Sequence, residues 1–318
     1  GFVGANIVEA LNRAGWRVRA LHRRSSSLAT LEGLAFEPAL GDVLQPDSLL
    51  AALQGCDGVF HAAGVVADLW GQNIDLTYRV NVEGTRNVLA AALAVGAPRL
   101  VHTSSLAALG FAADATPVDE THQFNLTPKA YPYGHSKHLA ELEVQAAVKR
   151  GLHAVIVNPS VVIGPRDVTL NNSRLILEVQ RARVPLMPPG GVNIVDALDL
   201  ARGHLMALER GRPGERYLLA GHNIANLDLT RQIAAALAVR PPRGSIPRPL
   251  IRPLATALDA ANRLARRPLP LSGDVLRFGA RFTYADNGKA ARELEFAVTP
   301  LSETIEQAID WLRSKGHL

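Results

Sequence analysis

Short apolar, β-branched runs alternate with alanine- and leucine-rich stretches through the first half of the chain, a texture that predicts parallel strands covered by helices. The strand candidates are Arg17 to Leu21, Gly58 to Ala62, Arg99 to Thr103 and Ala154 to Asn158, with a shorter one at 35–40 ahead of Gly41 and Asp42. Helices are expected at 5–14, 82–95 and 131–149. This spacing makes βαβ units and a Rossmann-type α/β fold, a doubly wound parallel sheet whose ligands bind beyond the carboxyl ends of the strands. Gly1-Phe2-Val3-Gly4 runs straight into the first helix, so the strand that should feed this turn is expected to be missing.

After residue 165 the texture changes. Pro165, Pro185, Pro188, Pro189 and Gly190-Gly191 punctuate the chain, while a helix at 196–209 and a strand at 215–219 read as a return to the main sheet. The division expected is a dinucleotide-binding unit over 1–165, rejoined by 192–222, and a smaller, mainly substrate-binding region over 166–191 and 223–318. An amphipathic helix from Leu250 to Leu264 is expected to cover the substrate pocket; the basic stretch 250–267 leaves contact with an anionic membrane as the lesser alternative. Near the C-terminus, Thr299 is placed as N-cap and Pro300 as first helical residue, with Leu301, Ile305, Ala308, Ile309 and Leu312 on the apolar face and Gly316 as the stop.

Composition narrows the class. With 318 residues, 47% hydrophobic and 20% charged, the chain is too apolar for disorder, and no run approaches the ~20 apolar residues of a membrane span. A cytoplasmic location is expected, the N-terminus having no succession of basic, apolar and small residues. The formal charge of +5 and pI near 9.6 favour anionic ligands. Aromatic and basic residues do not interleave, so nucleic acid is not an expected partner. Cys56 is alone, and ten scattered histidines show no ligand spacing, so neither a disulfide nor a metal is expected.

Several segments carry chemistry. Gly1 and Gly4 suit a turn that lets backbone approach a pyrophosphate at a helix N-terminus. After the 17–21 strand, His22-Arg23-Arg24-Ser25 stands where an acidic residue would hold a ribose 2′-hydroxyl and an arginine a 2′-phosphate, which favours NADP over NAD. Asp42 is placed to accept a hydrogen bond from adenine's amino group, with an ordinary turn aspartate as the alternative. Tyr133-Gly134-His135-Ser136-Lys137 sets a phenol and an ammonium one helical turn apart, so that the cation favours the phenolate. Upstream, Val101-His102-Thr103-Ser104-Ser105 ends a strand and offers a hydroxyl to a substrate carbonyl. Asp119-Glu120 reads as a solvated loop, and Arg174, Arg181 and Arg183 as rim arginines or, equally, diphosphate ligands.

Together these motifs resemble the extended short-chain dehydrogenase/reductase superfamily, which includes the NAD-dependent epimerase/dehydratase enzymes. The likeness runs through Gly-Phe-Val-Gly, Gly41-Asp42-Val43, Phe-His-Ala-Ala-Gly at 60–64, Asn81-Val-Glu-Gly-Thr, Thr103-Ser-Ser, Tyr133-x-x-x-Lys137 and Asn158-Pro-Ser-Val-Val-Ile-Gly-Pro. Within it the chain is most similar to the dihydroflavonol-reductase-like and hopanoid-associated sugar epimerase group. The resemblance implies Ser105 as catalytic serine, with Ser104 as its alternate, Tyr133 as acid/base, Lys137 as its partner and Asn81 as support. It implies dinucleotide contacts from Gly1, Phe2, Val3, Gly4, Arg23, Arg24, Asp42, Val43, Ala62, Ala63, Gly64, Thr103, Tyr133 and Lys137, with Pro159 and Ser160 beside the nicotinamide. A homodimer paired through the helices at 82–95 and 131–149 is a further implication. Leu106-Ala107 stands in place of an Asp-Glu pair, which disfavours dehydration. The expected activity is hydride transfer between NAD(P) and a carbonyl or secondary alcohol of a small substrate. The alternatives are a nucleotide-sugar epimerase and, from another class, a non-catalytic dinucleotide-binding protein.

Overall fold

The computed structural model describes residues 1–66, 73–96, 99–182, 184–265 and 272–318; Arg183 and the end of the 250–267 stretch lie outside them. The strands are β1 (Arg19–His22), β2 (Glu37–Leu40), β3 (Val59–His61), β4 (Leu100–Thr103), β5 (Ala154–Pro159), β6 (Val161–Ile163), β7 (Leu186–Met187), β8 (Gly191–Asp196), β9 (Arg216–Leu219), β10 (His222–Ala225), β11 (Gly244–Ser245) and β12 (Phe282–Thr283). The α-helices are α1 (Phe2–Arg13), α2 (Pro46–Leu53), α3 (Ile74–Tyr78), α4 (Gly84–Val95), α5 (Pro132–Lys149), α6 (Arg174–Gln180), α7 (Ala197–Arg210), α8 (Asn226–Ala236), α9 (Arg248–Leu264), α10 (Gly273–Gly279), α11 (Gly288–Leu294) and α12 (Leu301–Ser314).

An all-parallel sheet in the order β3-β4-β5-β9 forms the centre, and β1 pairs in parallel with β2 beside it. Residue alternation sorts the two faces, because successive side chains of a strand point opposite ways. Leu100, Ala154 and Ile156 pack with Leu49, Val88, Leu89, Ala92 and Val144 under α2, α4 and α5. Val101, Val155, Val157, Tyr217 and Leu219 pack with Leu200, Leu208 and Leu294 under α7 and α11. Helix α1 closes that second face through Ile7, Leu11, Ala201 and Leu205. A further sheet holds β8 between β10 and β12, with β6 also on β8, and rests on Ile233, Ile305, Ile309 and Leu312 of α8 and α12.

Two elements begin differently from the pattern expected. A π turn, Arg79–Glu83, precedes α4 and carries Asn81, so the helix expected from 82 starts at 84. At the C-terminal helix, Pro300 is extended (φ −52°, ψ 138°) and stands in the cap position, while Thr299 is held by the buried Asp199. The Thr299 N–H and hydroxyl donate to the two oxygens of that carboxylate at 2.6 and 2.9 Å, a long-range anchor that local capping rules do not contain. Among the described residues no helix is long and apolar enough to cross a membrane.

Candidate functional site

A cavity of about 1520 Å³ opens at the carboxyl ends of β3, β4 and β5 and extends between β1 and β3. Its wall includes Gly1, Phe2, Val3, Gly4, Val43, Ala62, Ala63, Gly64, Thr103, Ser105, Tyr133, Lys137, Pro159 and Ser160. Asn81 stands just behind this wall. Arg23 and Arg24 are exposed on the turn after β1, outside the wall, and neither has an ion-pair partner among the described residues. Asp42 also lies outside it; its Oδ1 accepts the Leu44 N–H at 3.0 Å, the pattern of an Asx turn.

Helix α5 organises the chemistry. Pro132 opens it without needing a hydrogen-bond acceptor for an N–H, and Tyr133, Lys137 and Glu141 follow at four-residue steps on one face. Gly134 lets the helix approach the strand-end turn: a Cβ there would stand 2.6 Å from the Ala107 carbonyl and against the Tyr131 ring. Tyr133 and Ser105 stand together in the cavity wall; burial pushes the proton affinity of the phenol up and that serine partly offsets the rise. Ser105 also caps the 3₁₀ turn Leu106–Leu109 by accepting the Ala107 N–H at 3.2 Å.

The Lys137 ammonium donates to the Thr103 carbonyl at 2.9 Å. Burial pulls its pKa down to about 8, with Glu141 acting in the opposite sense. Gly64 lies so near that a Cβ would sit 3.2 Å from Lys137 Nζ and 3.3 Å from Asn81 Oδ1, which keeps space open beside the ammonium. Asn81 is pinned on both sides: its amide donates to the Val65 carbonyl and to Ser136 Oγ, and its oxygen accepts the Val65 N–H, each at 2.9 Å. The π turn aims this side chain inward, a common use of such turns at functional positions.

Beneath the site lie three histidines. His61 donates to or accepts from Thr85 Oγ1 at 2.9 Å, and His204 pairs with Thr103 Oγ1 at 2.9 Å. Burial, and for His61 also the Lys137 charge, lowers their pKa values to about 3 and about 4. His102 is lowered well below the usual value by burial, then by His61 and Lys137.

Sequence reasoning missed three groups. Ser104, buried at the cavity wall, donates to Glu141 Oε1 at 2.5 Å; Asn158 Nδ2 meets the same oxygen at 2.6 Å, and Arg216 holds Oε2 at 2.6 Å. Glu120, read as a loop acid, accepts the Leu218 N–H at 2.8 Å, and burial pushes its pKa up. Also unforeseen is an aromatic wall, in which Phe111, Tyr131 and Phe278 stand with ring centroids 5.4–5.6 Å apart and Tyr133 lies edge-on to Tyr131 at 6.3 Å. The four-residue step from Lys137 to Glu141 was the available signal for the Glu141 cluster; the aromatic wall draws on three distant segments.

The site fits a nicotinamide dinucleotide. Glycine and alanine line the approach at 62–64, the backbone of Gly4 faces Ala62, and Ser160 Oγ is buried without a partner among the described residues. Residues 1–220 match the NAD dependent epimerase/dehydratase family. The chain is 36% identical to the "Putative dihydroflavonol 4-reductase" of Synechocystis sp. (strain ATCC 27184 / PCC 6803 / Kazusa), covering 100% of this chain and 94% of that protein. Among solved structures it is similar to gox2253, with a TM-score of 0.87 and 35% identity over 100% of this chain and 97% of that one. It is also similar to PA4631, a nucleoside-diphosphate-sugar epimerase from Pseudomonas aeruginosa, with a TM-score of 0.82 and 30% identity over 100% and 96% of the two chains.

Proposed function

Because the chain belongs to the NAD dependent epimerase/dehydratase family, we propose that it is a nicotinamide-dependent carbonyl reductase in which Tyr133 gives the proton to a substrate held against the aromatic wall. The observation that carries the reading is the Tyr133 hydroxyl beside Ser105, one turn from Lys137, in the wall of one cavity. Burial keeps the phenol protonated at neutral pH, the state that reduction requires of a donor. A dinucleotide held in this cavity would supply the hydride. Ser105 donates a hydrogen bond to the carbonyl oxygen and fixes it within reach of Tyr133. Lys137 spends one N–H on Thr103, leaving two for ribose hydroxyls, and its charge stabilises the phenolate left after proton transfer. Asn81 holds the Val65 backbone and Ser136, and so the start of α5.

NADP is the preferred cofactor in this reading, with Arg23 and Arg24 on a 2′-phosphate. Gly1 to Gly4 would hold the pyrophosphate, Val43 in the wall and Asp42 just outside it the adenine side, and Pro159 and Ser160 the nicotinamide. The substrate class is a small apolar carbonyl compound, since Phe111, Tyr131 and Phe278 offer ring faces and edges. Pairing of two copies through α4 and α5, where Leu142 is 52% exposed, is the assembly proposed. On α9, helical geometry sets Arg248, Arg252 and Arg263 about half a turn from the exposed Leu250, Leu254 and Leu264, an arrangement that turns the guanidinium groups away from any bilayer the leucines entered.

The similarity to PA4631 supports a nucleotide-sugar epimerase as the second reading, with Arg174 and Arg181 near the diphosphate. NADPH oxidation in stoichiometric step with a ketone substrate is the result expected of a reductase. Interconversion of sugar epimers without net cofactor turnover would favour the second reading.

A further inference from the structure

Glu141 is 1% exposed, and the hydrogen bonds of its carboxylate go to Ser104, Asn158 and Arg216. The Asn158 amide that meets Glu141 also donates to the Ser105 carbonyl at 2.9 Å. One buried carboxylate therefore ties three parallel strand ends, β4, β5 and β9, to the helix that carries Tyr133 and Lys137. We propose that Glu141 is a positioning residue for proton transfer: through Asn158 it fixes Ser105 opposite Tyr133, and as half of an ion pair with Arg216 it sets the charge balance that keeps Lys137 protonated. The proposal rests on the roles assigned above to Tyr133 and Lys137.

The charges around these groups give the sign. Lys137 faces Tyr133 and Glu141 on its own helix, His61 on β3 and His102 on β4, and both histidines are held neutral by burial. Glu141 faces the Arg216 guanidinium on β9, and Arg216 also reaches the Glu120 carbonyl at 3.5 Å, with the Lys289 charge acting on the Glu120 carboxyl beyond. Removing the Glu141 charge leaves Arg216 uncompensated, so Lys137 loses its proton more easily. Removing the Arg216 charge does the reverse.

The chain has five lysines, 129, 137, 149, 289 and 315, so ¹³Cε-lysine NMR reads Lys137 directly without substrate or cofactor. In the full protein, Glu141→Gln is expected to move the Lys137 titration down by about one pH unit. Arg216→Gln should move it up, and Glu141→Gln/Arg216→Gln should bring it back near the wild-type position. Where carbonyl reduction is measurable, the alkaline limb of kcat should follow the same order. A Lys137 titration unmoved in folded Glu141→Gln, or unmoved in Arg216→Gln should the first variant not fold, overturns the proposal. So does a double variant that stays shifted like Glu141→Gln. A shifted titration in a protein that reduces no carbonyl compound would instead overturn the reductase reading and leave the charge linkage standing.

Discussion

Replacing His102 by leucine is expected to stabilise the protein, and by more at pH 5 than at pH 7. The ring is 0% exposed on the central strand β4, its centroid is 5.2 Å from that of His61, and neither nitrogen has a hydrogen-bond partner among the described residues. A neutral imidazole carries one N–H and one lone pair, and a buried polar group left unpaired costs about 1–3 kcal/mol. Leucine fills nearly the same volume with no polar atom, so a gain of about 1–3 kcal/mol is expected at pH 7. The pH term adds to it. Burial holds the folded pKa of His102 well below 6.5, so its stability contribution is present above that value and is lost as the pH falls and the unfolded chain takes up a proton. Between pH 7 and pH 5 one such imidazole accounts for about 2 kcal/mol. His61, lowered to about 3, and His204, lowered to about 4, behave alike. The three histidines should thus together account for about 6 kcal/mol of lost stability over that interval, and His102→Leu should lose about 2 kcal/mol less than the wild type. Urea unfolding followed by tryptophan fluorescence at both pH values measures each number. An equal pH 7 to pH 5 loss in the two proteins would mean that His102 is not held neutral by its burial.

Other expectations follow from single contacts. Arg23→Ser/Arg24→Ser should weaken NADPH binding roughly ten- to hundredfold, the worth of charge-assisted phosphate contacts, and leave NADH binding nearly unchanged, as isothermal titration would record. Gly134→Ala drives a methyl against the Ala107 carbonyl and the Tyr131 ring, and should cost about 1–3 kcal/mol in chemical denaturation while lowering kcat. Phe278→Ala removes one ring of the aromatic wall, and a KM for apolar ketones raised about tenfold with kcat less affected is the expected steady-state result.

What the sequence disclosed was local. The β-branched runs at 99–103 and 154–158 had to be buried strands, and they are β4 and β5; Tyr133 and Lys137 had to share a helix face once 131–149 was read as a helix. The strand expected at 35–40, found at 37–40, was legible for similar reasons, whereas the stretch at 62–64 was singled out only through the family resemblance. What stayed hidden depends on distance. Asp199 anchors Thr299 from 100 residues away, and Arg216 reaches Glu141 across 75. The aromatic wall assembles from Phe111, Tyr131 and Phe278, which no periodicity connects. Ser104 and Ser105 were both offered by the sequence because they stand side by side at a strand end, and the hydrogen bond that Ser104 makes to Glu141 on α5, 37 residues on, has no local signal. Asn81 was named, but the π turn that orients it follows from packing of α3, α4 and α5 and has no one-dimensional signal.

The most direct test of the account is NADPH oxidation with a panel of small apolar ketones by the wild type and by Tyr133→Phe, with cofactor affinity measured on the same preparations. Ketone-dependent oxidation by the wild type is expected, with a fall in kcat of about 10²- to 10⁴-fold in Tyr133→Phe, the usual contribution of a positioned proton donor, and NADPH binding retained. Reduction at an undiminished rate by a folded Tyr133→Phe protein would contradict it.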